Sequence, residues 1–138
     1  MAVERIVLDT NILVGSAYAP GSASRRLVDA CLAGELCLVL SPALMSEYDF
    51  ILARAVRRPG LDEIWQRLKA GALLAEPVEV PRLVPEDPDD DKLLATARAG
   101  AATALITSDH HLLRLDPYEG IRIMRPGPYW EERSRAGG

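Results

Sequence analysis

The stretch Arg5-Ile6-Val7-Leu8-Asp9 is a short apolar run that ends at an acid. Residues 103–106 form a second run, which leads through a Thr-Ser pair to Asp109. Both runs are continuous rather than alternating, which is typical of strands that are buried on both faces of a parallel sheet. Ligands of such sheets bind beyond the carboxyl ends of the strands. We therefore expect Asp9 and Asp109, although far apart in sequence, to lie at the same edge of one sheet.

Further apolar runs and helical patterns surround these two stretches. Leu36–Leu40 and Ile121–Met124 predict strands, and residues 74–80 are an irregular fifth candidate. Helical spacing of apolar residues covers residues 24–32, 42–55, 61–73 and 87–100, with short helical turns after Asp109 and at residues 129–133. This alternation predicts an α/β fold, a three-layer α/β/α domain with a central, mainly parallel sheet of four to five strands.

The composition fits a single domain with an aliphatic core. We expect this domain to span residues 1–133 and a flexible tail to follow at residues 134–138. There is no apolar run of about 18 residues and no leader-like N-terminus, so we expect neither a membrane span nor a signal peptide. Cys31 and Cys37 lack the spacing of a metal or redox motif, and we expect buried, reduced thiols in a cytoplasmic protein.

The net charge of −4 argues against a nucleic-acid binder with a basic face. Much of the negative charge is concentrated in residues 86–91, Glu-Asp-Pro-Asp-Asp-Asp. Carboxylates that are pressed together repel one another, and a divalent cation removes that repulsion. Oxygen ligands suit Mg²⁺ or Mn²⁺, and an acidic pocket loaded with such ions attracts phosphate.

The pattern of residues leaves two acidic positions open. In the helix over residues 42–55, Glu47 and Asp49 lie at opposite edges of the apolar face, and periodicity does not choose between them. In the helix over residues 87–100, Asp87 and Asp89 suit capping and first-turn roles. Of the two acids that remain in this helix, Asp90 lies nearer the middle of the apolar stripe than Asp91, so geometry alone slightly favours Asp90.

Three segments resemble the motifs of PIN domains in order and spacing: Val7–Asn11, Asp87–Ala95 and Ile106–Leu112. Glu47, after Ser41-Pro42, matches the second acidic position of that family. The resemblance covers the chain from Val3 to about Trp130. The most similar subgroup is the one assigned to toxins of toxin–antitoxin pairs, which are related to the VapC-like ribonucleases.

This resemblance implies a function and a set of site residues. The function is hydrolysis of RNA phosphodiester bonds by a Mg²⁺- or Mn²⁺-dependent endoribonuclease. The resemblance selects Glu47 over Asp49 and Asp91 over Asp90, so that the expected catalytic and metal-binding residues are Asp9, Glu47, Asp91 and Asp109. By the same analogy we expect RNA as substrate, an antitoxin as partner and a homodimer.

Small polar residues flank the predicted strand ends. Their hydroxyl and amide groups suit the positioning of water or substrate, and they suit plain turns equally well. These residues are Thr10, Asn11, Thr107 and Ser108. His110 and His111 are left out of the predicted site because a hard cation does not need imidazole. Lys92 is interpreted as part of a solvated helix face rather than as a phosphate contact.

Two other functions compete with the ribonuclease. In a haloacid-dehalogenase-like phosphatase, a nucleophilic Asp also follows the first strand, and Thr107 would imitate the later Ser or Thr. That family requires a second Asp where this chain has Asn11. The other alternative is a non-catalytic PIN-like module that binds RNA or protein, which the presence of four candidate acids argues against.

Overall fold

The computed structural model describes residues 3–54, 60–76 and 91–136. These residues contain one five-stranded sheet in which every pair of neighbouring strands is parallel. The strands are β1 Glu4–Leu8, β2 Leu36–Leu40, β3 Leu73–Leu74, β4 Ala104–Ile106 and β5 Arg122–Met124. Their order is β3-β2-β1-β4-β5, so β1 is central. The parallel sheet predicted from continuous apolar runs is confirmed.

Helices flank the sheet and complete the three layers. They are α1 Thr10–Ser16, α2 Ala23–Leu32, α3 Pro42–Arg54, α4 Leu61–Gly71, α5 Asp91–Ala99, α6 His110–Leu113 and α7 Pro126–Arg135. Helix α2 packs against β2, α4 and α7, whereas α5 packs against β1, β2, β4 and α3. The α/β prediction is therefore confirmed. Within the described residues, no helix is long and apolar enough to cross a membrane.

The structure differs from the predicted elements at both ends of the chain. Helix α1 was not predicted, because its seven residues are too few to establish a helical period. Helix α7 begins at Pro126 rather than residue 129, since proline is tolerated in the first turn, and it includes Ser134 and Arg135. The proposed start of α5 at Asp87-Pro88 and the later part of the strand candidate at residues 74–80 lie outside the described residues.

Buried polar contacts hold α3 and α5 against the carboxyl edge of the sheet. The hydroxyl of Ser41 accepts from the backbone N–H of Leu44 at 3.2 Å, which confirms Ser41 as the capping residue of α3. The same hydroxyl lies 2.7 Å from that of Thr96 on α5. The phenol of Tyr48, fully buried on α3, donates to the carbonyl of Leu8 at the end of β1. These contacts fix the helices beside the end of β1.

Gly100, which follows α5, is required by close packing on the sheet. A Cβ atom at this position would overlap the side chain of Val39, which is fully buried on β2. We predict that Gly100→Ala lowers the free energy of unfolding by about 1–3 kcal/mol, the usual effect of overpacking a core. Urea denaturation measures this change.

Gly15→Ala is the matched control, because Gly15 lies in helix α1 and a Cβ there meets no atom within 4 Å. Alanine has the higher helix propensity, so this variant should be as stable as the parent or up to about 1 kcal/mol more stable. Equal losses in the two variants would contradict the packing explanation.

Candidate active site

Asp9 is the first residue after the central strand β1, and its backbone N–H donates to the carbonyl of Ile106 on β4 at 2.9 Å. It also caps helix α1, since its Oδ1 accepts from the backbone N–H of Asn11 at 3.3 Å. Its Oδ2 accepts from the hydroxyl of Thr107 at 2.8 Å. Its position after β1 and its capping of α1 thus hold this carboxylate at the edge of the sheet where the sequence predicts ligand binding.

Asp109 reaches the same edge from the end of β4. It is the N-cap of α6, and its Oδ1 accepts from the backbone N–H of His111 at 2.9 Å. The backbone N–H of Asp109 donates to the hydroxyl of Thr107 at 3.0 Å. One buried hydroxyl therefore connects the two strand ends, because Thr107 accepts from Asp109 and donates to Asp9.

Glu47 comes to this edge from helix α3. Its Oε2 accepts from the hydroxyl of Thr10 at 2.9 Å, and its Oε1 lies 2.9 Å from the ammonium of Lys92 on α5. Its alternative, Asp49, lies elsewhere: the Asp49 carboxylate accepts from the indole of Trp65 at 2.7 Å and from Lys69 at 3.4 Å. Of the two acids, Glu47 is the one that the structure brings to Asp9.

Asp91 is the first residue of α5 and is half-buried. The next residue, Lys92, contacts Glu47, so the start of this helix lies at the same edge of the sheet. Lys92 was interpreted as solvated, and this is wrong, because it forms a partly buried ion pair with Glu47. Asp90 lies outside the described residues, so the choice between Asp90 and Asp91 stays a prediction.

The acids influence one another electrostatically, as the pKa of Asp9 shows. Burial is the largest effect and raises this pKa above its usual value of 3.8. The hydrogen bonds from Thr107 and Asn11 lower it, whereas the negative charges of Glu47 and Asp109 raise it further. A half-buried carboxylate beside two other acids fits a divalent cation, which would relieve both the lost hydration and the repulsion. The four predicted acids, Asp9, Glu47, Asp91 and Asp109, offer oxygen donors only, and oxygen donors suit Mg²⁺ or Mn²⁺.

A family model of the PIN domain matches residues 5–111 of the chain, which include all four predicted acids. The chain belongs to the PIN domain family. Proteins of this family are generally nucleases, and they usually use divalent metals. No curated protein sequence matches the chain.

Two solved structures are similar to this chain in fold. The crystal structure of PAE2754 from Pyrobaculum aerophilum is similar with a TM-score of 0.58 and 20% identity, over 97% of this chain and 92% of that one. VapBC2 from Rickettsia felis, solved with a DNA fragment from its promoter, gives a TM-score of 0.55 and 13% identity. That match covers 88% of this chain and 97% of the other. At these identities the likeness concerns the fold.

The four small polar residues of this PIN domain divide into two pairs. Thr10 and Thr107 are buried, and their hydroxyls are bonded to Glu47 and Asp9. They orient carboxylates. Asn11 and Ser108 are exposed at the rim, where contact with water or substrate stays a prediction.

Sequence reasoning left out one cluster at this edge. Within the described residues, the potential metal ligands that all lie within 4.8 Å of one another are in Asp109, His110 and His111. No three of the four predicted acids are that close, although charge couples Asp9 to Glu47 and Asp109. The signal was present in the sequence, since both histidines directly follow a predicted ligand.

The raised pKa of Asp9 predicts a pH-dependent difference between the parent and Asp9→Asn in the absence of metal. The unfolded chain loses this proton near pH 3.8, whereas the folded protein keeps it to higher pH. As the pH rises from 3.8 to the higher pKa of the folded protein, ionisation of Asp9 lowers the stability of the parent. Asparagine does not ionise, so Asp9→Asn does not lose this stability. The free energy of unfolding of Asp9→Asn, relative to the parent, should increase from pH 3.5 to 7. Urea denaturation measures it.

Asp49→Asn is the control of opposite sign. The hydrogen bond from Trp65 lowers the pKa of the exposed Asp49 carboxyl, so its ionised form contributes stability above the unfolded pKa. Asp49→Asn should therefore lose stability relative to the parent over the same pH range. The same sign of change in both variants would contradict the assigned environments.

Proposed function

We propose that this protein is a metal-dependent endoribonuclease that hydrolyses RNA phosphodiester bonds. The observation that carries this proposal is the convergence of Asp9, Glu47 and Asp109 at the carboxyl edge of the sheet, where burial and neighbouring charges raise the pKa of Asp9. Asp91 is proposed as the fourth acid, because it begins the helix whose next residue contacts Glu47. Half-buried acids at a sheet edge can hold a cation that a phosphate can approach.

In the proposed mechanism the four acids hold Mg²⁺ or Mn²⁺. When bound, such an ion polarises a phosphoryl oxygen and lowers the pKa of water. Thr107 keeps the Asp9 carboxylate oriented toward the open edge, and Thr10 does the same for Glu47. Each of these hydroxyls is buried and fixed by the fold, so each carboxylate is held in place before substrate arrives. No nucleophilic side chain is required.

Lys92 has a supporting role in this proposal. Its side chain is 27% exposed, and its ammonium lies 2.9 Å from Oε1 of Glu47, whose side chain is 22% exposed. It supplies positive charge at the rim of an otherwise acidic pocket, where an RNA phosphate approaches. A lysine can make this contact as a point charge without a fixed geometry.

The substrate and partners follow from the family. We propose single-stranded RNA as substrate, a cytoplasmic location, an antitoxin protein as partner, and a homodimer. The fold likeness to VapBC2, a complex bound to promoter DNA, supports the toxin assignment. The PIN-domain match does not favour the haloacid-dehalogenase-like phosphatase.

Cleavage of single-stranded RNA by the purified protein should require Mg²⁺ or Mn²⁺. EDTA should abolish the cleavage, and excess Mn²⁺ should restore it. We predict that Asp9→Asn and Glu47→Gln each reduce kcat/KM at least about 100-fold, because even residues that only orient a metal ligand contribute 10–100-fold. Gel-resolved cleavage of a labelled oligonucleotide measures the rates.

Asp49→Asn is the matched control for Glu47→Gln, since Asp49 lies on the same helix but bonds to Trp65 and Lys69. It should cleave as the parent does. A folded Asp9→Asn protein that is as active as the parent would refute the mechanism. RNA binding without cleavage by the Mn²⁺-loaded parent would instead favour the non-catalytic module.

The assignment of the fourth acid is tested by a pair of substitutions. We predict that Asp91→Asn weakens both Mn²⁺ binding and cleavage at least about tenfold, as loss of a metal ligand does, whereas Asp90→Asn has little effect on either. Mn²⁺ binding is followed by electron paramagnetic resonance of the free ion. The reverse result would transfer the role to Asp90.

A further inference from the structure

The only two histidines in the sequence lie side by side next to Asp109. The ring centroids of His110 and His111 are 4.1 Å apart, and one ligand atom from each of the three residues lies within 4.8 Å of the other two. We propose that Asp109, His110 and His111 form a binding site for a transition-metal ion of the Zn²⁺ type. This ion competes with Mg²⁺ for Asp109.

The geometry of the three residues suits such an ion. Zn²⁺ binds imidazole nitrogen and carboxylate oxygen at about 2.0–2.2 Å, so its ligand atoms lie about 3–3.5 Å apart. The ligand atoms already lie within 4.8 Å of one another, so binding of Zn²⁺ requires them to close by about 1–2 Å. The backbone N–H of His111 donates to Oδ1 of Asp109 at 2.9 Å, which holds the carboxylate close to the two rings. Because His110 is exposed, the ion has open access.

The donor atoms distinguish this site from the carboxylate pocket. Mg²⁺ takes oxygen ligands and keeps several waters, whereas imidazole suits Zn²⁺, Ni²⁺ and Cu²⁺. Two imidazoles and one carboxylate provide three protein ligands and leave a fourth position open, as in zinc sites that keep a bound water. Affinity in a site of this kind is higher for Zn²⁺ than for Mn²⁺.

Asp109 belongs to both sites, which couples them. Its negative charge already reaches Asp9, whose pKa it raises. An ion held by the histidines takes an oxygen of Asp109 away from the carboxylate pocket, so Zn²⁺ lowers the affinity of the pocket for Mg²⁺. The inhibition of RNA cleavage by Zn²⁺ rests on the proposed function, whereas the binding of Zn²⁺ does not.

Calorimetric titration of the metal-free protein with Zn²⁺ tests the binding. His110→Ala and His111→Asn should each raise the Kd for Zn²⁺ at least about tenfold, because loss of a ligand exceeds the 10–100-fold effect of residues that merely orient one. The ring ¹⁵N signals of both histidines should shift on addition of Zn²⁺ but not of Mg²⁺. A double variant, shown by circular dichroism to be folded, that binds Zn²⁺ as tightly as the parent would overturn the proposal.

Asp9→Asn separates this site from the carboxylate pocket. It should keep the parent's affinity for Zn²⁺ while RNA cleavage is lost. If Asp9→Asn weakens Zn²⁺ binding as much as the histidine substitutions do, the ion occupies the carboxylate pocket and the histidine site is refuted.

The competition is measured as the Zn²⁺ concentration that halves Mg²⁺-dependent RNA cleavage. This concentration should be at least about tenfold higher in the double histidine variant than in the parent, in line with its weaker Zn²⁺ binding. Equal half-inhibitory Zn²⁺ concentrations in the two proteins would refute the proposed competition. Histidine-dependent Zn²⁺ binding in a protein that cleaves no RNA with any metal would refute the proposed function and leave the site standing.

Discussion

The half-buried carboxylate of Asp9 is the constraint around which the candidate site is arranged. Asp9 follows the central strand β1, whose last residues are fully buried, and its side chain loses part of its hydration on folding. Burial raises the pKa of Asp9, and two further acids raise it more. Burial and neighbouring charges disfavour the charged form of Asp9, and the hydrogen bonds from Thr107 and Asn11 offset only part of that cost. The cation proposed at this sheet edge would offset both the lost hydration and the repulsion.

The contacts around Asp9 hold this arrangement in place without removing the repulsion. Thr107 bridges Asp9 and the backbone of Asp109, and Thr10 holds Glu47. Lys92 is the positive side chain that contacts Glu47. Behind them, the bond from Tyr48 to the end of β1 anchors helix α3. The scaffold therefore positions the acids, and the ammonium of Lys92 compensates the charge of Glu47.

Much of this arrangement was predictable from local sequence signals. Continuous apolar runs leading to Asp9 and Asp109 predicted a parallel sheet, which is confirmed, and the edge at which we expect its ligands to bind. The cap-and-proline signature of Ser41 located helix α3, because capping depends on neighbouring residues alone. Both signals depend only on residues that are neighbours in the sequence, so they can be recognised without knowing the rest of the fold.

What sequence left open depends on contacts between distant segments. Glu47 and Asp49 are equivalent on a helical wheel, and only the packing of α4 against α3 gives Asp49 its partner Trp65. Lys92 looks solvated along its own helix, yet Glu47 lies 45 positions away in sequence and 2.9 Å away in space. The histidines were set aside for a reason of metal chemistry, which the proximity of His110 and His111 to Asp109 reopens.

A crystal structure of the protein with Mn²⁺, recorded with anomalous scattering from the metal, tests the central claim most directly. The account predicts an anomalous peak about 2.0–2.2 Å from carboxylate oxygens of Asp9 and Asp109, with Glu47 and Asp91 bound directly or through water. Absence of a peak at this edge at millimolar Mn²⁺, with the Lys92–Glu47 ion pair intact, would contradict a carboxylate metal site in this protein.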